Sequence, residues 1–564
     1  MKKKYIDLLR HSFSKYKIDG YIIPKNDEFF SEYDPKKRLY KISNFSGSAG
    51  LAIITKKNNY LFVDGRYTLQ AKIESGKNFK IVDITKNNPK KILKKITLGI
   101  DPKLITSNSL KKLFHKNTSI KYIDQNLVDL IFPLRRNKVK LFFKLNDNII
   151  GEKKNSKIER IKKYLRKVKC DYLFITAPEN VAWTLNIRGY DNPNSPIPNS
   201  YLLMDKIGNI HLLADKTKTK KIIGDQVLKK EQIINFDQIE NFLTSIKSGN
   251  IVIDFKTCSL FLEKLIRRKL KISKYPEPIN AFKSIKNQTE INHMVNAHLE
   301  DGLALTRFIY WIKHYKGEIS EIDAQNKLET FRKKSKNYLY PSFNTIAGAG
   351  PNGAIVHYRA NKKNCRLINK KDIFLFDSGG QYKYGTTDVT RTICFQKPTN
   401  QIKDIFTRVL KGHIAVYNSN LIQKNTGKKI DVNARKFLKQ KKLDYAHGTG
   451  HGVGFFLNVH EGPQSISKYN TIKLKAGMIL SNEPGFYKEK KFGIRIENLV
   501  YIKKINKNIE FRNLTFAPIE NDLINYNLLD KKEKSYLFRY HLDIYSRYSK
   551  FLSKKEKTWL ASLI

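Results

Sequence analysis

Asp377 closes an apolar run, Ile373-Phe374-Leu375-Phe376, and precedes Ser378-Gly379-Gly380, which favours a turn. Residues 386–395 read as a second strand with Asp388 near its start. Such a hairpin brings the two carboxylates face to face. Two bare carboxylates in a half-buried site repel, so they need a proton, an arginine or a metal. By itself the pair is weak, because aspartate at a strand end is often only turn chemistry.

Downstream, His447-Gly448-Thr449-Gly450-His451-Gly452 spaces two histidines four apart, but its three glycines disfavour a helix. The segment reads as a tight loop or strand that aims His451 into a site. His460 follows in Val459-His460-Glu461-Gly462-Pro463, and His357 lies in another turn-rich stretch. Residues 477–481 are strand-like and lead to Glu483-Pro484-Gly485. Gly493-Ile494-Arg495-Ile496-Glu497 opens a further strand, and period-2 alternation puts Arg495 and Glu497 on one face.

Taken together, Asp377, Asp388, His451, Glu483 and Glu497 form a coherent set. Four carboxylates balance two divalent ions, and a neutral imidazole completes the shell without changing the charge. A partly buried pocket demands that balance. Oxygen-rich donors with one imidazole favour Mn, Co or Zn over thiolate-seeking metals. Two such ions sharing a water lower its pKa and polarise a carbonyl, which is hydrolytic chemistry.

The elements that must position these residues occupy a chain of 564 residues, enough for several domains. Hydrophobic residues make up 40% and charged residues 28%, which argues against a mainly disordered chain or a disulfide scaffold. No long uncharged apolar stretch appears, so no membrane span is expected. Asp7 and Arg10 interrupt the apolar run that a signal peptide needs. The four cysteines, Cys170, Cys258, Cys365 and Cys394, form no CxxC, and a reduced, cytoplasmic protein is expected. The formal net charge of +56 invites a nucleic-acid reading. The lysines are nevertheless spread over the whole chain among Ile, Asn, Tyr and Phe, without a long basic block, so no specific nucleic-acid partner is expected.

Two stretches resemble each other. Asp19-Gly20-Tyr21-Ile22-Ile23-Pro24 leads to Asn44-Phe45-Ser46-Gly47 and a strand over 50–55. Asp171-Tyr172-Leu173-Phe174-Ile175 leads to Asn186-Ile187-Arg188-Gly189 and Tyr201-Leu202-Leu203-Met204. Both read as helix, strand, loop, helix, strand, and so as two related α/β units. The helix before the second carries Ile158, Ile161, Tyr164, Leu165 and Val168 at helical spacing. A turn-rich break, Tyr275-Pro276-Glu277-Pro278, precedes a long helix over 290–313. The last segment is basic and helical, with Tyr536, Leu537, Tyr540, Leu542 and Tyr545 as packing candidates.

The motifs resemble those of the "pita-bread" metallopeptidases, and most closely the long, three-domain Xaa-Pro aminopeptidases. The carrying stretches are Tyr340-Pro341-Ser342-Phe343 with Ile355-Val356-His357-Tyr358, Asp377-Ser378-Gly379, and Thr386-Thr387-Asp388-Val389-Thr390-Arg391-Thr392. The segment 447–463, Glu483-Pro484-Gly485-Phe486-Tyr487, and 493–498 complete the set, with Asn186-Ile187-Arg188-Gly189-Tyr190-Asp191 in the middle unit. The implied fold is mixed α/β (α+β): two creatinase-like α/β domains, 1–147 and 148–280, a pita-bread catalytic domain, 281–505, and an extension, 506–564, packed on it.

The resemblance implies that Asp377 binds one metal, that Asp388 and Glu497 bridge two, and that His451 and Glu483 complete opposite ends. Glu483 would also relay a proton from the attacking water to the leaving nitrogen. His357 and His460 would contact the substrate and stabilise the oxyanion. His447 would line the proline pocket, and Arg495 would hold the neighbouring carboxylates. The implied reaction releases the first residue from short peptides with proline in second position, using two divalent ions, Mn first and Co or Zn as alternatives. A homodimer is implied as well. A prolidase shares the metal shell but takes dipeptides, and the three-unit length argues against it. Methionine aminopeptidase lacks the N-terminal 280 residues, a creatinase-like enzyme needs no metal, and a pseudo-enzyme that binds histones or nucleic acid with this fold would have lost ligands.

Overall fold

A computed structural model describes residues 2–133 and 138–564. The chain divides into two compact units, Met1–Asn280 and Ala281–Ile564.

The first unit holds two six-stranded sheets. In the first, Gly20–Pro24, Leu51–Thr55 and Asn59–Val63 form an antiparallel meander. Lys80–Asp83 adds in parallel to its outer strand, while Thr97–Ile100 and then Ser119–Tyr122 extend the other side in parallel. Numbered along the chain, the order in space is 4-3-2-1-5-6. The second sheet, built from Tyr172–Ile175, Ser200–Asp205, Ile210–Ala214, Ile233–Ile234, Gly249–Ile253 and Leu270–Ile272, repeats that order and every strand direction. The central strands of both sheets are buried almost without interruption, as expected when both faces are covered, whereas the edge strand Ser119–Tyr122 is mostly exposed. The helix Lys2–Lys15 buries Ile6, Leu9 and Phe13, and Lys154–Lys167 buries Ile161 and Leu165, each at helical spacing.

The second helix also buries a lysine. Lys157 Nζ donates to Trp183 O (2.9 Å) and Asn186 Oδ1 (2.6 Å) and sits over the Trp183 ring. Arg38, 1% exposed, is held in the same unit by Glu28 and Asp129 at 2.7 and 2.6 Å.

The second unit carries the long helix Gln288–His314, whose N-cap Asn287 and Glu290 form a capping box. Its sheets are shorter and split. Ile373–Ser378 pairs with Ile346–Ala349 on one side and Val389–Cys394 on the other. A five-stranded sheet runs in the order Glu461–Ile466, Gly450–Gly452, Ile479–Asn482, Asn498–Ile505, Asn508–Asn513. The expected domain edge at 505/506 falls at the tip of a hairpin within this sheet, where Ile505 pairs with Asn508. Near the C-terminus the helix Lys531–Tyr548 buries Tyr536, Leu537 and Tyr540 in the second unit's core, with Tyr545 partly buried against it. Leu542 is an exception, being 43% exposed on the helix's outer side.

Candidate active site

Residues 386–395 are not one strand. Gly385–Thr386 pairs with Gly380–Tyr382, the chain bends at Thr387-Asp388, and only Val389–Cys394 joins the strand of Asp377. Asp377 consequently pairs with Thr390, and Asp388 sits in the bend one step before Val389. The bend needs Thr387: its hydroxyl accepts from Gly380 N at 2.9 Å, and its carbonyl accepts from Ser342 Oγ. A continuous strand would have turned Asp388 according to pleat alternation; the break frees it to join the carboxylate centre.

Likewise Phe492–Arg495 and Asn498–Ile505 are separate strands, with Ile496-Glu497 between them. Ile494 and Ile496 are fully buried in the core, while Arg495 and Glu497 meet on Thr390. Arg495 Nε donates to Thr390 Oγ1 (3.0 Å), which donates to Glu497 Oε2 (2.8 Å). Glu497 N also donates to Thr390 O at 3.1 Å. Thr390 was legible only as part of a motif stretch, and its hydroxyl is what joins the two charged groups.

His451 lies on the short strand Gly450–Gly452, between Ile479–Asn482 and Glu461–Ile466. Its Nδ1–H donates to Gly452 O at 2.9 Å, which fixes Nε2 as the outward donor atom. That Nε2 lies 3.3 Å from Asp388 Oδ2 and 3.8 Å from Glu483 Oε1. Gly450 is required here, because a Cβ would lie 1.9 Å from the Ser481 carbonyl oxygen. Asp431 and Arg435 brace the approach to this strand. Asp431 accepts from Thr449 Oγ1 (2.6 Å), and Arg435 donates to the carbonyls of Tyr445 and His447.

Asp388, His451 and Glu497 bring ligand atoms within 4.8 Å of one another. Asp377 joins from the side. Arg495 Nη2 binds its Oδ2 at 2.7 Å, and its Oδ1 is buried with no hydrogen-bond partner among the described residues. Glu483 is partly buried, with its N–H donating to Thr449 O. His447 and His460 flank the group. The His447 Nε2 meets the Tyr487 hydroxyl at 2.9 Å, and the His460 ring lies 4.1 Å from that of His451. His357 is partly buried at the end of the turn after Gly350–Ala354, and Arg495 reaches the Val356 carbonyl beside it. Tyr487, which the sequence reading did not single out, also accepts from Arg495 Nη1 at 2.5 Å. Lys283 and Lys286, both buried, bind Glu461, the residue after His460.

The electrostatics are one-sided. Burial, opposed by Arg495 and reinforced by Asp388 and Glu483, pushes Asp377 up to about 7. Burial and the charges of Asp388, Glu483 and Asp377 lift Glu497 well above the carboxylate range, and burial also raises Glu483. Burial alone would lower His451, but its contact with Asp388 and the charge of Glu483 outweigh that and raise it to about 9. Four carboxylates thus share one guanidinium and one imidazole. The excess negative charge, the orphaned Asp377 oxygen and the convergent Asp388–His451–Glu497 donors fit divalent cations bound by oxygen and one nitrogen.

Comparison with known proteins agrees with this geometry. The metallopeptidase family M24 model matches residues 292–504, and creatinase/prolidase N-terminal domain models match 6–129 and 134–290. A model for the C-terminal region of peptidase M24 matches 507–563. "Xaa-Pro aminopeptidase 1" of Dictyostelium discoideum is 35% identical over 100% of this chain and 96% of its own length. The chain belongs to the Xaa-Pro aminopeptidase family. A "Probable Xaa-Pro aminopeptidase P" of Laccaria bicolor is likewise 35% identical, over 96% of this chain and 90% of its own. The crystal structure of the X-prolyl aminopeptidase from Caenorhabditis elegans, described as a cytosolic enzyme with a di-nuclear active site, matches with a TM-score of 0.92. It is 28% identical and covers 100% of this chain and 99% of its own. Prolidase from Thermococcus sibiricus, at 26% identity, covers 65% of this chain with a TM-score of 0.52. Family membership therefore extends over both N-terminal sheets as well as the carboxylate centre. Among the described residues no helix is long and apolar enough to cross a membrane.

Proposed function

We propose that this chain is a metal-dependent aminopeptidase that cleaves the X–Pro bond and releases the N-terminal residue of peptides with proline in second position. The observation that carries the reading is the convergence of Asp388, His451 and Glu497 donors beside Asp377 and Glu483, in a chain alike along its full length to Xaa-Pro aminopeptidases. The prolidase likeness, which reaches only 65% of the chain, supports the longer enzyme over a dipeptidase.

Asp377, Asp388, His451, Glu483 and Glu497 hold two divalent ions in this reading, Mn first, with Co or Zn as alternatives. Bound there, the ions supply a water of lowered pKa and a polarised scissile carbonyl. Glu483, partly open to solvent, accepts the proton of the attacking water and delivers it to the proline nitrogen as the C–N bond breaks. His357 and His460 donate to the developing oxyanion. His447, tethered to Tyr487, lines the pocket for the proline ring. Arg495 acts as a positioning residue, holding Asp377 directly and Glu497 through Thr390. An X–Pro amide has no N–H, so a ring-shaped pocket replaces the backbone contact that other peptidases use. The same reading extends to a cytoplasmic homodimer acting on short peptides.

The test uses metal-stripped protein with the peptides X-Pro-Y and X-Ala-Y, with and without Mn, and a Glu483→Gln control. Release of X from the proline peptide alone, dependent on metal and absent in the control, is the expected result. Hydrolysis of neither peptide under any divalent metal, or equal hydrolysis of both, overturns the reading.

A further inference from the structure

The catalytic unit carries a cavity of about 760 Å³ that includes none of the site residues above. It lies between the helix Gln288–His314, the end of the helix Glu321–Arg332, and the C-terminal helix Lys531–Tyr548 with the turn Ser549–Phe551. The volume is that of a small-molecule site. Leu299, Leu303, Phe331 and Phe551 give it an apolar lining, and Phe551 is half exposed.

The rim is cationic. Arg307, Lys334, Lys336, Arg547 and Lys550 make up a third of the lining, against about a fifth Lys and Arg in the whole chain. Elsewhere in this unit several buried or half-buried cations find carboxylates, as Lys313 finds Glu520 at 2.6 Å and Arg332 finds Asp301 at 2.7 Å. Among the described residues, none of these five makes an ion pair. Arg307 donates to the Phe551 carbonyl, and Arg547 lies 4.0 Å over the Phe516 ring. The only acid in the lining, Glu300, is engaged by the Ser335 hydroxyl and, at 2.7 Å, by Asn337 Nδ2. Two polar atoms of the lining residues, Arg547 Nε and the Tyr548 hydroxyl, are buried without a hydrogen-bond partner among the described residues.

Such a cavity has two unfavourable features at once. Like charges crowd one opening, and apolar surface faces water. Both are relieved by one ligand chemistry, an apolar body with an anionic head. A guanidinium free of a carboxylate partner, beside exposed lysines, is suited to a carboxylate.

We propose that this cavity binds a small amphiphilic carboxylate, its alkyl chain against Leu299, Leu303 and Phe331 and its head at the rim formed by Arg547 and the neighbouring lysines. The site is separate from the peptidase centre and takes a different class of ligand.

The experiment titrates the native chain by calorimetry with decanoate and decyltrimethylammonium, both below their micellar concentrations, and decanol, below its solubility limit. The expected result is saturable 1:1 binding of decanoate that weakens with added salt, with the alcohol and the cation at least about tenfold weaker, the scale of a charged hydrogen bond. Lys334→Glu/Lys336→Glu/Lys550→Glu, three exposed positions, should weaken decanoate at least about tenfold and leave X-Pro cleavage unchanged. Ala304→Trp, which fills the cavity, should abolish binding. Absence of decanoate binding, equal binding of all three amphiphiles, or full affinity in the charge-reversed chain overturns the proposal. If Ala304→Trp does not fold, the headgroup comparison on the native chain and the charge reversal still decide it.

Discussion

Two buried charge clusters in this molecule respond to burial in opposite ways. Around Arg38 in the first unit, two carboxylates, Glu28 and Asp129, meet two cations, Arg38 and Lys36. Burial acts to raise Glu28, yet the charges of Arg38 and Lys36 prevail and hold it down at about 2. In the catalytic unit four carboxylates meet one guanidinium, and burial drives Asp377 up to about 7. The first cluster is complete in itself. The second needs positive charge from outside the chain. Buried acids in general do not mark a functional centre; an uncompensated surplus of them does.

The sharpest way to break this contrast is at a ligand. Asp388→Asn should lower X-Pro cleavage by about 10³-fold or more, in the range lost with essential polar groups. It should also raise the melting temperature of metal-stripped protein, because one repelling charge is gone. A drop in that temperature would place Asp388 with the balanced kind of cluster. The counterpart is Asp129→Ala, which strips Arg38 of one partner. It should cost about 3 kcal/mol of stability, as breaking a buried pair does, and leave cleavage per folded molecule unchanged. Denaturant unfolding beside a peptide assay separates the two outcomes.

pH sharpens the comparison further. Asp377 is raised, so the metal-stripped native state binds the extra proton, and its stability falls as pH climbs from about 4 to about 7. Glu28 is lowered, so its contribution is complete above about 4.5 and is lost as pH falls toward about 2. Melting curves of metal-stripped native and Asp377→Asn protein between these limits should show a shallower decline in the variant. Identical slopes would contradict the assignment. The smallest expected effect is at Tyr487, whose hydroxyl serves both His447 and Arg495. Tyr487→Phe should cost roughly 3–30-fold in kcat/KM, the value of one or two hydrogen bonds, with the metal content unchanged.

Much of the centre was readable from the sequence because its residues stand where strands end and glycines begin. Asp377 before Ser378-Gly379-Gly380 and His451 between Gly450 and Gly452 both carry that signal, and the structure brings Asp377, Asp388, His451, Glu483 and Glu497 together. The duplicated α/β pattern was visible as well, although only the pairing shows that the two sheets agree in every strand direction. What stayed hidden depends on contacts between distant residues. The pairing of Arg38 with Asp129 spans 91 positions, and nothing local marks either residue. The 386–395 run has strand composition throughout, and it breaks at Thr387 only because that residue's hydroxyl and carbonyl bind Gly380 and Ser342. Leu542 fits a helical apolar stripe but falls just outside the arc that the core covers.

Arg391 extends the reach of the centre to the far end of the chain. Its guanidinium donates to the Glu497 carbonyl (2.6 Å), the Asn498 side chain, the carbonyls of Ala517 and Pro518, and the Tyr540 hydroxyl. One side chain thus rivets the turn bearing Glu497, a proposed ligand, to Tyr540, a helix residue more than forty positions downstream in sequence. A premature stop codon shortly before Tyr540 would leave the codon of every proposed ligand intact. The product would still have lost the rivet, and an inventory of its motifs would pass a broken enzyme as whole.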